Sequence, residues 1–525
     1  MSEQPTPFAP ATLAQFFLDF LSPTVWRQAH QANSRRPGQG KRTNLGKDAA
    51  RHCERKKRWE LQPFVTVLLV LSWCQGDSLS ERFETARACY VALHPKRRQP
   101  GKTFRGFAFA LRRLPIPVLR ALLAAVRSRL SCWLHSCWRT GGFVLLGCDG
   151  SRLECPRTAA LERALGCSGK KKKAKKSRKK RANKAPPKGA KGASRKGAQG
   201  KPAAEVQAAL KAAVEGTPAA APTPAAAKTK VDEEMSLPSL WLTAVVHLAS
   251  GVPYAWLVGK GDASEQRHLQ RLAWLLPACA LVITDAGYRG FALLHELLDA
   301  KADFLIRLSS ATTLYTLEYQ SLKKFQTGQV AYYWPEEAQK NKQPPVKVRV
   351  IRVRGCKKQD VWLLSSVLEK SRLSVKDAAR YYKMRWGSEG FFRTYKRTLG
   401  QVKLRFDTPQ LVFREVEVAL LGAQLLLCQG ARAIPTAQGE TAPGYSPRKV
   451  LQAFRKEVTR LAAPRLRQGF AAALKKARAE RRKRTSAKEK RVWPRRKPHT
   501  SPKRPKIRKM NADQKALLSS LETGP

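Results

Sequence analysis

From residue 10 to 137 the apolar positions recur at helical spacing. Residues 63–71 (Pro-Phe-Val-Thr-Val-Leu-Leu-Val-Leu) are apolar nearly all round, which predicts a buried helix. Residues 80–92 and 103–114 carry helical periodicity and are separated by the breaker-rich His94-Pro95-Lys96-Arg97-Arg98-Gln99-Pro100-Gly101. Lys102, Arg105, Arg112 and Arg113 decorate the second of these helices, so the pair fits a helix-turn-helix and an ordinary helical bundle equally.

At Phe143 the pattern shifts to short apolar runs. Residues 143–149 read as a buried strand ending in Asp149. Strands are next predicted over 240–249 and 253–258, joined at Ser250-Gly251-Val252. Asp262-Ala263-Ser264-Glu265 resembles a capping box that opens a helix toward Leu275. The strand 280–284 runs at once into Asp285-Ala286-Gly287-Tyr288, followed by a helix over 291–300 and a strand over 303–308. The order β-β-β-α-β-α-β predicts an α/β fold, a ribonuclease-H-like sheet with helices on its faces.

Beyond it, residues 311–369 read as a β-rich insertion, in which Val346-Lys347-Val348-Arg349-Val350-Ile351-Arg352-Val353 alternates. Ser374 to Asp377 caps a helix expected to run to about Leu399. The expected organisation is a helical N-terminal region (1–137), a ribonuclease-H-like core in three pieces (138–167, 236–310 and 370–430), a disordered Lys/Ala/Pro-rich insertion (168–235), the β-rich insertion, and a basic, helical to disordered C-terminal region (431–525).

Charge changes the picture most. The 525 residues hold 101 Lys and Arg against 38 Asp and Glu, a formal charge of +63. So basic a chain does not suit an enzyme of small neutral metabolites; it calls for a polyanion, of which nucleic acid is the commonest. About half of the excess lies in two runs. Residues 170–201 contain 16 Lys or Arg and no acid, and 475–509 contain 18 against Glu480 and Glu489. The remainder sits on segments that can fold, so the preference for a polyanion does not rest on the runs alone. The runs read either as solvated low-complexity sequence or as arms adding salt-sensitive phosphate affinity.

No run is apolar enough to span a bilayer, and the opening Met-Ser-Glu-Gln-Pro has no signal-peptide pattern, so a cytoplasmic, nucleoid-associated protein is expected. Eleven cysteines without a CxxC pair point to reduced thiols rather than a zinc site.

The candidate chemistry gathers on Tyr381-Tyr382-Lys383-Met384-Arg385-Trp386-Gly387-Ser388-Glu389-Gly390-Phe391-Phe392-Arg393-Thr394-Tyr395-Lys396. At helical spacing Tyr382, Arg385, Glu389, Arg393 and Lys396 share an arc of about 80°. One acid then stands among three cations and a phenol. An ion-paired solvent face would explain that stripe too, but it would not need Gly387 and Gly390, each costing about 1 kcal/mol mid-helix.

These residues resemble the signature of DDE transposases of bacterial insertion sequences, the IS-four-like group: Tyr, two residues, Arg, three residues, Glu, six residues, Lys. Tyr382, Arg385, Glu389 and Lys396 match it without a gap. The other two family acids correspond to Asp149, in Gly147-Cys148-Asp149-Gly150-Ser151, and Asp285, in Ile283-Thr284-Asp285-Ala286-Gly287. The resemblance covers about residues 60–430; the lysine-rich insertion and the long basic C-terminus depart from it.

It implies that Asp149, Asp285 and Glu389 are the catalytic acids and hold Mg²⁺ in a two-metal site, with Mn²⁺ as substitute. It further implies that Tyr382, Arg385 and Lys396 contact the DNA backbone, with Arg393 a weaker candidate. The implied partners are double-stranded DNA, both transposon ends and target, and a second copy of the chain when assembled on DNA. Each acid keeps a plain structural reading: Asp149 as a turn residue before Gly150, Asp285 as a cap, Glu389 as an ion-pair partner. His247 and His268 read as core or surface histidines, and Glu154 and Asp262 as auxiliary acids at most. The competing functions are a non-catalytic basic nucleic-acid-binding protein from a decayed element, and a structure-selective nuclease on the same fold.

Overall fold

The computed structural model describes residues 12–34, 59–114, 116–166, 237–309, 311–318, 326–354, 360–436, 442–462, 474–475 and 505–522. The lysine-rich insertion and most of the second basic run lie outside the described residues.

The N-terminal part is helical, as its periodicity predicts: α1 (Leu13–Phe20), α2 (Pro23–Ser34), α3 (Leu61–Trp73), α4 (Leu79–Leu93), α5 (Phe104–Arg113), α6 (Ile116–Arg127) and the short α7 (Leu130–Trp133). Thr12, Ser78 and Thr103 cap α1, α4 and α5, each accepting a backbone N–H three residues on. The all-apolar α3 is buried from Pro63 to Leu71. Its Trp73 indole donates to the Gly422 carbonyl at 3.2 Å, locking it to a long later helix.

The elements of the central sheet follow: β1 (Val144–Glu154), α8 (Ala159–Leu165), β2 (Ser239–His247), β3 (Val252–Lys260), α9 (Glu265–Ala273), β4 (Ala280–Thr284), α10 (Phe291–Asp299) and β5 (Asp303–Arg307). β1, β2 and β3 form an antiparallel meander, and β4 and β5 run parallel to β1 on its other side, giving the order β3-β2-β1-β4-β5. The cap of α9 is Ser264, which accepts from Arg267 N–H, so the helix opens there and not at Asp262.

The β-rich stretch contributes β6 (Thr313–Thr316), β7 (Val330–Tyr333), α11 (Glu336–Lys340), β8 (Val346–Arg354) and β9 (Asp360–Ser365). It is not a separate sheet. β9 pairs antiparallel with β5, so these strands extend the core sheet.

The chain continues through α12 (Val375–Met384), α13 (Trp386–Arg393), a π-helical turn (Thr394–Thr398), α14 (Pro409–Ala433) and α15 (Pro447–Ala462). Near the end, β10 (Lys506–Lys509) pairs parallel with β6, and α16 (Ala512–Glu522) follows it. The result is a ten-stranded mixed sheet with helices. Met510 and Leu518 join Tyr315, Tyr332 and Trp334 in a satellite core beside the main one. No described helix is long and apolar enough to cross a membrane. The eight described cysteines are all free, Cys132 and Cys279 exposed and the other six buried.

Candidate active site

Gly147 on β1 pairs in register with Ile283 on β4. Two residues further along each parallel strand stand Asp149 and Asp285. The pairing ends at Gly147 and Ile283, yet the two acids, distant in sequence, leave the paired region together and lie near enough for the charge of Asp285 to act on Asp149. Asp149 lies within β1, half-buried, its Oδ1 accepting the Gly150 N–H at 2.8 Å. Asp285 follows β4, caps a one-turn 3₁₀ helix (Ala286–Tyr288) and accepts the Gly287 N–H at 2.8 Å. The cap reading of Asp285 therefore holds structurally and leaves its second oxygen for other work.

Burial pushes the Asp149 carboxyl up to about 6, helped by the negative charges of Glu265 and Asp285; the Gly150 N–H and Arg385 oppose the rise. The two aspartates thus sense each other, and Arg385, from the distant helical segment, senses Asp149.

That segment packs on β1 at its glycine. A side-chain carbon on Gly147 would fall 2.2 Å from the Ser388 hydroxyl and 2.6 Å from Leu248, so only glycine lets Ser388, and with it Glu389, approach the strand this closely. Ser388 is fully buried and its hydroxyl has no partner.

The expected single helix to Leu399 is broken. Ser374 caps α12 as expected, accepting from Asp377 N–H at 3.0 Å, but the helix ends at Met384, α13 restarts at Trp386, and a π-helical turn carries Lys396. π turns gather at functional sites. The arc computed for regular helix geometry therefore describes Tyr382 to Glu389 better than Lys396.

Glu389 pairs with Arg385 at 3.3 Å, the arginine side chain only 12% exposed. The Arg385 guanidinium lies over both the Tyr382 and Trp386 rings, while its Nε has no partner. Trp386 is 63% exposed, Arg393 is exposed, and Tyr382 and Lys396 are half-buried. Burial raises the Tyr382 hydroxyl above its ordinary value and lowers the Lys396 ammonium, which Glu154 partly offsets. Gly387 touches Leu248, whereas Gly390 faces open space.

Among the described residues, no three His, Cys, Asp or Glu side chains are grouped closely enough to hold a metal ion. The structure brings Asp149 and Asp285 together and lays the Glu389 helix against the same strand, with each carboxylate satisfied by a local donor. The donor set still fits a hard divalent cation: carboxylate oxygens, two of them adjacent, one pushed toward protonation by burial and like charge.

Pattern reading missed Glu265 and Tyr288. Glu265 was legible only as a capping-box residue, yet its carboxyl packs against Gly150 beside the Trp241 indole and perturbs Asp149. His247 and His268 are buried and bonded to Ser250, Trp138 and Thr243 groups, as core histidines.

No curated protein matches the chain. A piggyBac transposase, solved as a synaptic complex with hairpin DNA, is similar at 12% identity over 91% of this chain and 87% of that one, with a TM-score of 0.35, too loose a likeness to carry an argument. Residues 209–424 match the family described as the transposase DDE domain, a stretch that contains Asp285, Tyr382, Arg385, Glu389 and Lys396 and begins after Asp149.

Proposed function

We propose that this chain is a cut-and-paste DNA transposase of the IS-four-like group, built on a ribonuclease-H-like core. It would bind transposon ends, hydrolyse their phosphodiesters and join the freed 3′-hydroxyl to target DNA. The parallel pairing of β1 with β4, with Asp149 and Asp285 each two residues beyond the last pair, carries this reading, because the family match alone does not reach Asp149. The strand order β3-β2-β1-β4-β5 supports the core assignment.

Asp149, Asp285 and Glu389 would hold Mg²⁺, or Mn²⁺ in its place. Bound there, divalent ions activate the attacking oxygen and stabilise the departing one. The protein's own groups do the rest. Arg385, its charge spread over two aromatic faces and its Nε free, is placed to exchange Glu389 for a backbone phosphate. Lys396 and the exposed Arg393 extend the cation track, and the Tyr382 hydroxyl, kept protonated by burial, donates to a phosphate oxygen. The charge of +63 supplies long-range attraction to DNA. Two ends must be paired for excision, so the acting species is a dimer assembled on DNA.

The test is a plasmid carrying the flanking DNA of the gene, incubated with purified chain and Mg²⁺ or Mn²⁺. Release of the bordered segment and its joining to a second plasmid is expected. Asp149→Ala, Asp285→Ala and Glu389→Ala should each keep DNA binding and lose cleavage. Cutting without joining would indicate a nuclease instead, and binding without cutting in every form would indicate a packing protein.

A further inference from the structure

Behind the two aspartates, on the opposite side of the sheet, a buried hydroxyl ties their supports together. Side chains alternate along β1, so Cys148 points away from the face that Asp149 occupies. Its thiol donates to the Tyr288 hydroxyl oxygen at 3.7 Å. Tyr288 belongs to the 3₁₀ turn that Asp285 caps, is 1% exposed, and faces the Glu265 carboxylate at the start of α9; burial, aided by that charge, holds the phenol protonated. One phenol thus touches the residue before Asp149, stands three residues after Asp285, and is anchored from a third element.

Two further features show that the anchor is built closely. A side-chain carbon on Gly150 would fall 2.7 Å from the Glu265 carboxyl, so the glycine after Asp149 makes room for this carboxylate. Gln266, next along α9, donates from Nε2 to the Gly287 carbonyl at 2.5 Å, gripping the same turn. The first turn of α9 therefore holds the Asp285 turn at two points, and Tyr288 extends the hold to β1.

We propose that Tyr288, held by Glu265, is a positioning residue that fixes the separation of Asp149 and Asp285. The inference rests on the reading of those two aspartates as the metal-holding pair. Its physical basis is that like charges side by side push apart, and a ligand pair admits little drift. Partners behind ligands commonly govern metal affinity or activity by about 10–100-fold. A phenol that accepts from Cys148 and stands against Glu265, in a fully packed site, has no freedom to follow a drifting strand. It sets a distance.

The test uses the full chain. Tyr288→Phe keeps the ring and deletes the link; Glu265→Gln keeps an acceptor for the hydroxyl; Glu265→Leu removes it. Mn²⁺ affinity is read by calorimetry without DNA, and cleavage is read separately as kcat and as binding of end DNA. Tyr288→Phe and Glu265→Leu should each lower Mn²⁺ affinity about 10-fold and kcat about 10–100-fold, with DNA binding unchanged, while Glu265→Gln stays within about threefold of the parent on both. Should Tyr288→Phe fail to fold, Glu265→Leu carries the same reading.

Parental Mn²⁺ affinity and kcat in either variant, beside an inactive Asp149→Ala, would overturn the positioning role alone. Full activity and Mn²⁺ affinity in Asp149→Ala and Asp285→Ala would instead overturn the reading beneath it.

Discussion

Arg349 on β8 and Arg385 between α12 and α13 are both shielded from water, and the protein treats them oppositely. Arg349 is 0% exposed, and its two terminal nitrogens donate to the carbonyls of Leu368, Glu369 and Leu373. Those carbonyls lie on the segment leading into α12, so the guanidinium staples that segment to the sheet. Arg385 makes one ion pair at 3.3 Å and rests on two aromatic faces. The first charge is spent on the fold; the second is kept in reserve. Arg349 and Arg385 each leave Nε buried without a partner, so what separates them is that only Arg349 holds three backbone carbonyls.

The largest effect that tests this contrast belongs to Asp149. Asp149→Asn should lower cleavage by at least about 10³-fold, about 4 kcal/mol of transition-state stabilisation. It should also stabilise the fold at pH 8. Burial lifts this carboxyl from 3.8 to about 6, so the native state holds the proton more tightly than the unfolded chain does. The stability it contributes is full below 3.8 and is lost as pH rises through about 6. Asparagine removes that cost, so thermal melts should show the variant a few degrees above the parent at pH 8 and level with it at pH 4. A melting gain that persists at pH 4 would mean that packing, not charge, was relieved.

Arg349→Ala should come next, with the opposite signature. It removes three hydrogen bonds from the segment leading into α12, the one to the Leu373 carbonyl fully buried, so a loss of about 3 kcal/mol is expected in urea unfolding. The cleavage rate of the folded fraction should stay near that of the parent.

Smaller still is Arg385→Ala. Stability should fall by about 1–2 kcal/mol, because one ion pair to a part-exposed Glu389 and the contacts over two rings go together. Binding to end DNA should weaken by about 1–2 kcal/mol, and the slope of log affinity against log salt should fall by ~0.9, as for one phosphate contact. An unchanged salt slope would return Arg385 to the role of a helix ion-pair partner.

What the sequence made legible follows the same division. Short apolar strands bounded by turns were readable: β4 occupies Ala280–Thr284, the run its β-branched residues predict, and Ser374 caps where a cap was expected. Local chemistry dictated both. Arg349 was not readable. Alternation along Val346–Arg354 places it on the polar side, yet Val348, Arg349, Val350 and Ile351 are all buried, because a distant segment covers the second face. The parallel pairing of β10 with β6 was likewise hidden, since nothing within Lys506–Lys509 specifies a partner nearly 200 residues earlier. At the candidate site the signature spacing revealed the residues but not the break at Arg385 or the π turn. Those depend on how the helix must bend to pack on Gly147. Tyr288 and Glu265 were invisible for the simplest reason: their role exists only once β1, α9 and the Asp285 turn have met.

The smallest effect is expected where an ion pair has nothing to hold. Arg352 on β8 pairs with Asp360 on β9 at 2.7 Å, across a register position of the same hairpin, and its guanidinium stands over the Trp362 ring. By distance alone this is a better pair than Arg385 with Glu389. Its arginine side chain is 55% exposed, however, against 18% for Asp360, so water and salt already solvate the guanidinium and little is gained when the two meet. Arg352→Ala should therefore shift the urea midpoint by an amount equivalent to about 0.5 kcal/mol or less, with DNA binding and cleavage unchanged. A loss as large as that of Arg349→Ala would show that contact distance ranks these arginines. A loss this small shows that what ranks them is the number of buried groups each leaves behind.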